Sequence, residues 1–401
     1  MARRMLLTVL AAVTLIAATA CGSSSTSDGS PNVLTEMDYY NTDPGLSALP
    51  AMLDQCGKQN GVTVQRQVVP DLRTKLLQLA GSHGVPDLVL MDNPDLQQLA
   101  ATGALADLGA AGVGTEGLYP NIVAAGKYQG KLYGLAPGVN ALALFYNTKL
   151  FTDAGLRAPK TWSDLTADAA RLTTGNQHGI GFAVPATEEG SFQFESFFLS
   201  SGADLRTLNS PQAVAALQLL ANLVAAGSAP KDVLSWTQTN VEEQFANGSL
   251  AMMVNGPWQL PQLAKANMTG FGIAPIPVPD AGGTSSSALG GEVWAAGNNA
   301  KTAKAAAVIK CMTSARNSLA WSKLVDYVPS NQSAAQQLAA SDPQLKTFVA
   351  EIGGAKGRTA ELGASYPKYS QALWTAVQSA LAGQSSPQAA LNQAQQQASA
   401  S

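Results

Sequence analysis

Apolar and polar positions along this chain follow two periods. Val33-Leu34-Thr35-Glu36-Met37, Val62 to Val69 and Asp87-Leu88-Val89-Leu90-Met91 are short apolar-rich runs, and they predict strands. Between them, Ala48 to Lys58 and the stretch holding Leu76, Leu77 and Ala80 read as helices, and another helix resumes at Asp95. The run Leu88 to Met91 is nearly continuous in apolar residues, as expected of a strand covered on both faces. Strand and helix in alternation predict an open α/β sheet.

The middle of the chain repeats this grammar. Thr161-Trp162-Ser163-Asp164 opens a helix with a capping-box pattern, and Leu165, Ala169 and Leu172 share one of its faces. Ser210-Pro211 sets an N-cap before a first-turn proline; Val214, Leu217, Ala221 and Val224 form the stripe that follows, and Gly227 ends it. Ala251-Met252-Met253-Val254 predicts a strand closed by Asn255-Gly256-Pro257-Trp258, whereas Pro275, Pro277 and Pro279 ahead of Asp280-Ala281-Gly282-Gly283 mark a loop. Helices are also predicted from Thr302 to Ser314, along Leu373, Val377 and Leu381, and from Ser386-Pro387, with the last Gln, Ala and Ser residues fraying.

The first residues break the pattern. Arg3 and Arg4 precede an uncharged, apolar-rich run from Met5 to Ala20, too short for a spanning helix but right for an export signal. Ala18-Thr19-Ala20-Cys21 is similar to a bacterial lipobox, which makes Cys21 the expected lipidation site, residues 1–20 the signal and residues 21–32 a Ser-rich leash. Charged residues are only 13% of a chain at net −3 with no basic run, which argues against a nucleic-acid partner. Lipid at Cys21 is then the expected membrane contact. Cys56 and Cys311 are the remaining cysteines; in an exported protein they are either a disulfide or two buried thiols. Neither has a Cys or His neighbour at ligand spacing, so no metal is expected.

In open α/β sheets a ligand sits beyond the carboxyl ends of the strands. That rule selects Tyr39-Tyr40-Asn41, Asp92-Asn93 and Asn255 to Trp258, with Trp294 in Gly290-Gly291-Glu292-Val293-Trp294 as a fourth candidate. Flat aromatics beside amides and carboxylates suit a sugar, which offers an apolar face and a rim of hydroxyls. The competing reading of each cluster is a turn that bonds its own backbone, and of Trp294 a core indole. Catalytic patterns are missing: His83 and His178 lie in glycine-flanked turns, and no nucleophile elbow, phosphate loop or zinc motif is present. Glu188-Glu189 and Glu242-Glu243 read as solvated faces rather than as a glycosidase pair. No enzyme and no cofactor are expected.

Tyr128-Gln129-Gly130-Lys131-Leu132-Tyr133-Gly134-Leu135-Ala136-Pro137, then Leu144-Phe145-Tyr146-Asn147-Thr148 with Gly155, Pro159 and Thr161-Trp162, resembles the core signature of extracellular solute-binding proteins of family 1. These are the maltose-binding-protein-like subunits of ABC importers. Phe245 to Met253 with Gly256-Pro257-Trp258 is similar to the family's second signature; Pro86-Asp87, Gly290-Gly291 and Val328-Pro329-Ser330 follow its order. The resemblance implies an α/β, two-lobe periplasmic-binding-protein-like fold with a ligand cleft between lobes and three crossovers, near Gly138 to Ala141, Ser287 to Gly290 and Val328 to Ser330. Residues 33–138 and 290–327 would form one lobe, residues 141–287 and 330–398 the other. It further implies an extracytoplasmic monomer, lipid-anchored to the cell membrane, that binds a di- or oligosaccharide and delivers it to permease subunits. By position it carries ligand contacts to Asn41, Asp92, Asn93, Asn140, Trp258, Glu292 and Trp294, to Glu195 in the loop Phe192-Gln193-Phe194-Glu195, and to Tyr327, Arg358 and Tyr366. A glycerophosphodiester is the alternative solute, because Arg358 offers a fork for phosphate.

Overall fold

The computed structural model describes residues 30–82, 84–359 and 361–400. Cys21 and His83 lie outside them. Two sheets organise the described chain. The first has five strands in the order Thr63–Val68, Val33–Asp38, Leu88–Asp92, Glu292–Ala296, Gly134–Leu135. Its first three strands are parallel, as the strand–helix alternation requires. Glu292–Ala296 is inserted antiparallel beside Leu88–Asp92, pairing Glu292 with Asp92. This insertion sets two carboxylates at one sheet edge although they are two hundred residues apart in sequence.

The second sheet departs from the parallel expectation. It runs Phe271–Ala274, Ala143–Asn147, Met252–Asn255, with both pairings antiparallel. Helices Trp162–Leu172, Glu188–Ser200, Pro211–Ala225 and Tyr366–Leu381 bury their apolar faces in one cluster with this sheet's Leu144, Met252 and Val254. The capping box at Thr161 and the Ser210 cap form as their sequences predict. The last helix does not fray where expected. Pro387–Ser399 stays helical because Leu391, Ala394 and Ala398 are buried in that same cluster.

Short pairings join the two sheets where crossovers are expected. Gly138–Val139 pairs antiparallel with Val328–Pro329, Asn140 bridges Gly290, and Ala288–Leu289 runs parallel to Lys356–Gly357. A single apolar cluster passes through this region, containing Val89 and Met91 from one sheet and Phe145 and Met253 from the other. Sγ of Cys56 and Sγ of Cys311 are bonded, tying helix Gly45–Gln59 to helix Thr302–Met312. Among the described residues no helix is long and apolar enough to cross a membrane.

Candidate functional site

A cleft of about 870 Å³ opens where the strand ends of both sheets meet. Its wall takes Tyr39, Tyr40 and Asn41 after the first strand, Asp92 at the end of the third, Asn140 and Gly290 from the crossovers, and Trp258 beyond the second sheet. Helix Glu188–Ser200 adds Glu188, Glu189 and Phe192. The Phe192 to Glu195 segment is therefore helical, not a loop. Glu188 and Glu189 face the cleft rather than forming a solvated patch.

Glu292 is one polar centre of the cleft. Its carboxylate is 6% exposed and accepts hydrogen bonds from the phenols of Tyr39 and, at 2.5 Å, Tyr40, with the Tyr327 hydroxyl at 3.5 Å. Burial raises the Glu292 carboxyl above its ordinary range, and the Tyr39 and Tyr40 donors partly restore its charged form. The rings form two aromatic groups: Tyr39 stacks on Tyr40 at 5.3 Å, while Tyr327 meets Trp258 edge-on at 6.4 Å and Trp258 lies 6.3 Å from Phe192. Gly256 makes room for this arrangement. A Cβ at that position would fall 1.9 Å from the indole of Trp258, so the glycine accommodates the tryptophan ring itself.

Arg358 is a second polar centre, reached from the first through Asp92, the sheet neighbour of Glu292. It is 3% exposed, and its guanidinium reaches Asp92 at 2.7 Å and Glu188 at 2.8 Å, with Nε donating to the Leu289 carbonyl at 3.3 Å. It also lies 4.9 Å from the centre of the Phe192 ring. The competing role for Asp92, capping the turn Asn93–Asp95, is not taken: no side-chain cap bond is made there. Behind Arg358, the Tyr366 hydroxyl stands 2.7 Å from Glu188 and 2.8 Å from Glu195. One phenol proton serves only one acceptor. Burial pushes the Glu195 carboxyl up to about 8, so at neutral pH its own proton satisfies the second contact.

Four expected contacts lie off the cleft wall. Trp294 is fully buried, paired in its strand with Leu90 and Leu135, and belongs to the core. Asn93 turns inward and donates to the carbonyls of Leu289 at 3.1 Å and Gly291 at 3.0 Å, so it braces a crossover. Glu195 and Tyr366 are buried behind Glu188 and support it. Asn255 likewise fixes its turn, donating to the Gln238 carbonyl at 2.8 Å and accepting from Gly256 N–H at 3.0 Å. The cleft gains Thr237, Gln238, Gln259 and Gln262, which sequence patterns did not single out. Of the crossover glycines, Gly291 carries the positive φ (105°); Gly138 and Gly290 are instead required by close contacts with Ser322 and Asn140.

Two carboxyls, Glu195 fully buried and Glu351 half-buried, fix the direction of a pH effect. Glu195 is raised to about 8 and Glu351 to about 7, both chiefly by burial, and one oxygen of each has no hydrogen-bond partner. A carboxyl whose pKa is higher folded than unfolded stabilises the fold below its unfolded value, and that contribution is lost as pH rises through the folded value. The urea midpoint should therefore fall between about pH 5 and about pH 8. A midpoint that is flat or rises over this window would contradict the burial of these groups.

The relatives agree with this architecture. Residues 51–347 match the family model for bacterial extracellular solute-binding proteins. A protein of Brucella abortus, named only as a binding protein, is 29% identical over 163 residues; that match spans 38% of this chain and 39% of the relative. The maltooligosaccharide ABC transporter solute-binding lipoprotein of Streptococcus pneumoniae is 24% identical, over 69% of this chain and 68% of that one. In structure the chain is similar to the GacH receptor of Streptomyces glaucescens, solved unliganded and with acarbose: TM-score 0.79 at 24% identity, covering 91% of this chain and 96% of the receptor. The two-sheet, cleft-bearing α/β architecture is thus the two-lobe fold of such receptors, and the chain belongs to the bacterial extracellular solute-binding protein family.

Proposed function

We propose that this protein captures a di- or oligosaccharide in the cleft and delivers it to the permease of an ABC importer. The carrying observation is the cleft lining. Apolar ring faces of Trp258, Phe192, Tyr39 and Tyr40 stand beside the hydrogen-bonding groups of Asp92, Asn140, Gln238 and Glu189. A pyranose matches that mixture, stacking its C–H face while its hydroxyls pair with amides and carboxylates. The volume, about 870 Å³, is within the range of small-molecule sites. The maltooligosaccharide-binding relative and the acarbose-binding neighbour support the same solute class. Arg358 is already engaged by two carboxylates, which disfavours the glycerophosphodiester alternative.

In this reading residues 33–138 with 290–327 form one lobe and residues 141–287 with 330–398 the other, and the solute bridges them. Only a solute that binds the closed arrangement more tightly drives closure. Family membership puts the protein outside the cytoplasm. Lipid on Cys21 and the leash to residue 32 would hold it at the membrane, as the lipoprotein relative suggests. Signal removal and acylation would appear as a mass shift of the mature protein.

A thermal-shift screen of neutral oligosaccharides tests the assignment. A binder gains stability by mass action and returns its ligand intact, whereas a hydrolase cuts it. Trp258→Ala should cost about 1–3 kcal/mol of affinity through lost apolar burial, with the unliganded melting temperature nearly unchanged. Unaltered affinity would return Trp258 to a packing role.

A further inference from the structure

The charges lining the cleft do not balance. Asp43, Asp92, Glu188, Glu189 and Glu292 face it, and Arg358 is the one cationic side chain among the described residues that line it. Arg358 is shared between Asp92 and Glu188. The other three carboxylates are held by neutral donors: Asp43 by the Ser47 N–H and hydroxyl at 3.1 and 2.5 Å, Glu189 by the Gln238 N–H at 2.5 Å, and Glu292 by phenols. For Glu189 and Glu292, hydrogen bonds from neutral groups make partial or full burial tolerable without supplying a countercharge, and Asp43 is exposed. A concave, partly desolvated site lined with one sign of charge focuses its field on whatever enters. The rings of Tyr39, Tyr40, Phe192 and Trp258 lie along the same wall, and the faces of such rings attract a cation further.

We infer that the solute carries a protonated amine: it is an amino sugar or an oligosaccharide containing one. This rests on the carbohydrate reading above and adds the charge of the ligand. A neutral sugar fills the same hydrogen bonds but leaves the negative field uncompensated, so the field discriminates between two ligands of nearly equal shape. Glu292 and Glu189, at different parts of the wall, are the groups nearest in kind to an ammonium partner, since neither has a cationic partner among the described residues.

The test compares matched probes by calorimetry at about pH 6.5: the β-1,4-linked disaccharide of glucosamine, its N-acetylated form and cellobiose, with maltose as a neutral sugar of the other linkage. The glucosamine disaccharide should bind about tenfold or more tighter than either neutral counterpart at low ionic strength. That ratio should shrink as salt shortens the Debye length. Glu189→Gln should narrow it about threefold. Equal or tighter binding of any neutral probe overturns the inference while sparing the carbohydrate reading. No binding by any of the four overturns the inference too, and counts against the carbohydrate reading itself.

Discussion

Arg358→Met should cost about 3–5 kcal/mol of folding stability, the largest effect expected of any single substitution at the cleft. The guanidinium is 3% exposed and is the shared partner of Asp92 and Glu188. Removing it leaves these carboxylates facing each other without a cation, and an uncompensated charge in a poorly solvated site costs more than the pair contributed. The loss should be greater at about pH 8 than at about pH 5, because burial already holds the Glu188 carboxyl above its ordinary range, and its protonation at the lower pH relieves the stranded charge. Adding Asp92→Asn and Glu188→Gln to Arg358→Met should recover a substantial part of the loss. Urea unfolding of the three proteins measures this. A single variant within about 1 kcal/mol of wild type would mean that the arginine is a dispensable surface pair.

Replacing the bridge with Cys56→Ser and Cys311→Ser should cost about 2–5 kcal/mol. The two cysteines are 255 residues apart, so the bond restrains a long loop in the unfolded chain, where the chain-entropy account places most of the benefit. It ties two helices that pack on the first sheet, and helix Gly45–Gln59 touches the cleft at its first residue, far along the helix from Cys56; Cys56, Leu49, Leu53 and Ile309 share one buried cluster. Stability should fall and solute affinity should hold. A denaturation midpoint unchanged by the double substitution would show that the folded packing, not the bond, keeps these helices together.

Local pattern made much of this legible. The parallel strands, the caps at Thr161 and Ser210 and the loop at Pro275 to Gly283 each rest on neighbours within a few residues, and they fall where the sequence indicates. The strand-end rule brought Tyr39, Asn41, Asp92 and Trp258 to the cleft for the same reason. Long-range pairings were the limit. Glu292 meets Tyr39 across 253 positions, and no local period announces that its strand enters a parallel sheet antiparallel. Helix Glu188–Ser200 was also opaque. Its residues from Gly190 onward are all buried, so it lacks the one-sided stripe that identifies a helix, and its two leading glutamates read as solvent-facing. Trp294 illustrates the opposite error: an aromatic shortly after a glycine pair suggested a ligand contact, but only Glu292, the first residue of the strand, reaches the cleft, whereas Trp294 lies two residues further into the sheet and its indole is in the core.

In the proposed function one solute is held in this cleft by ring faces and hydroxyl-matching groups. Isothermal titration with oligosaccharides of increasing length, on the wild type and on Trp258→Ala, tests it most directly. Binding should be saturable with one ligand per chain, weakened in the variant by about 1–3 kcal/mol, with the ligand recovered uncut. Binding that is equally strong without the Trp258 ring, or no saturable binding across the series, would contradict it.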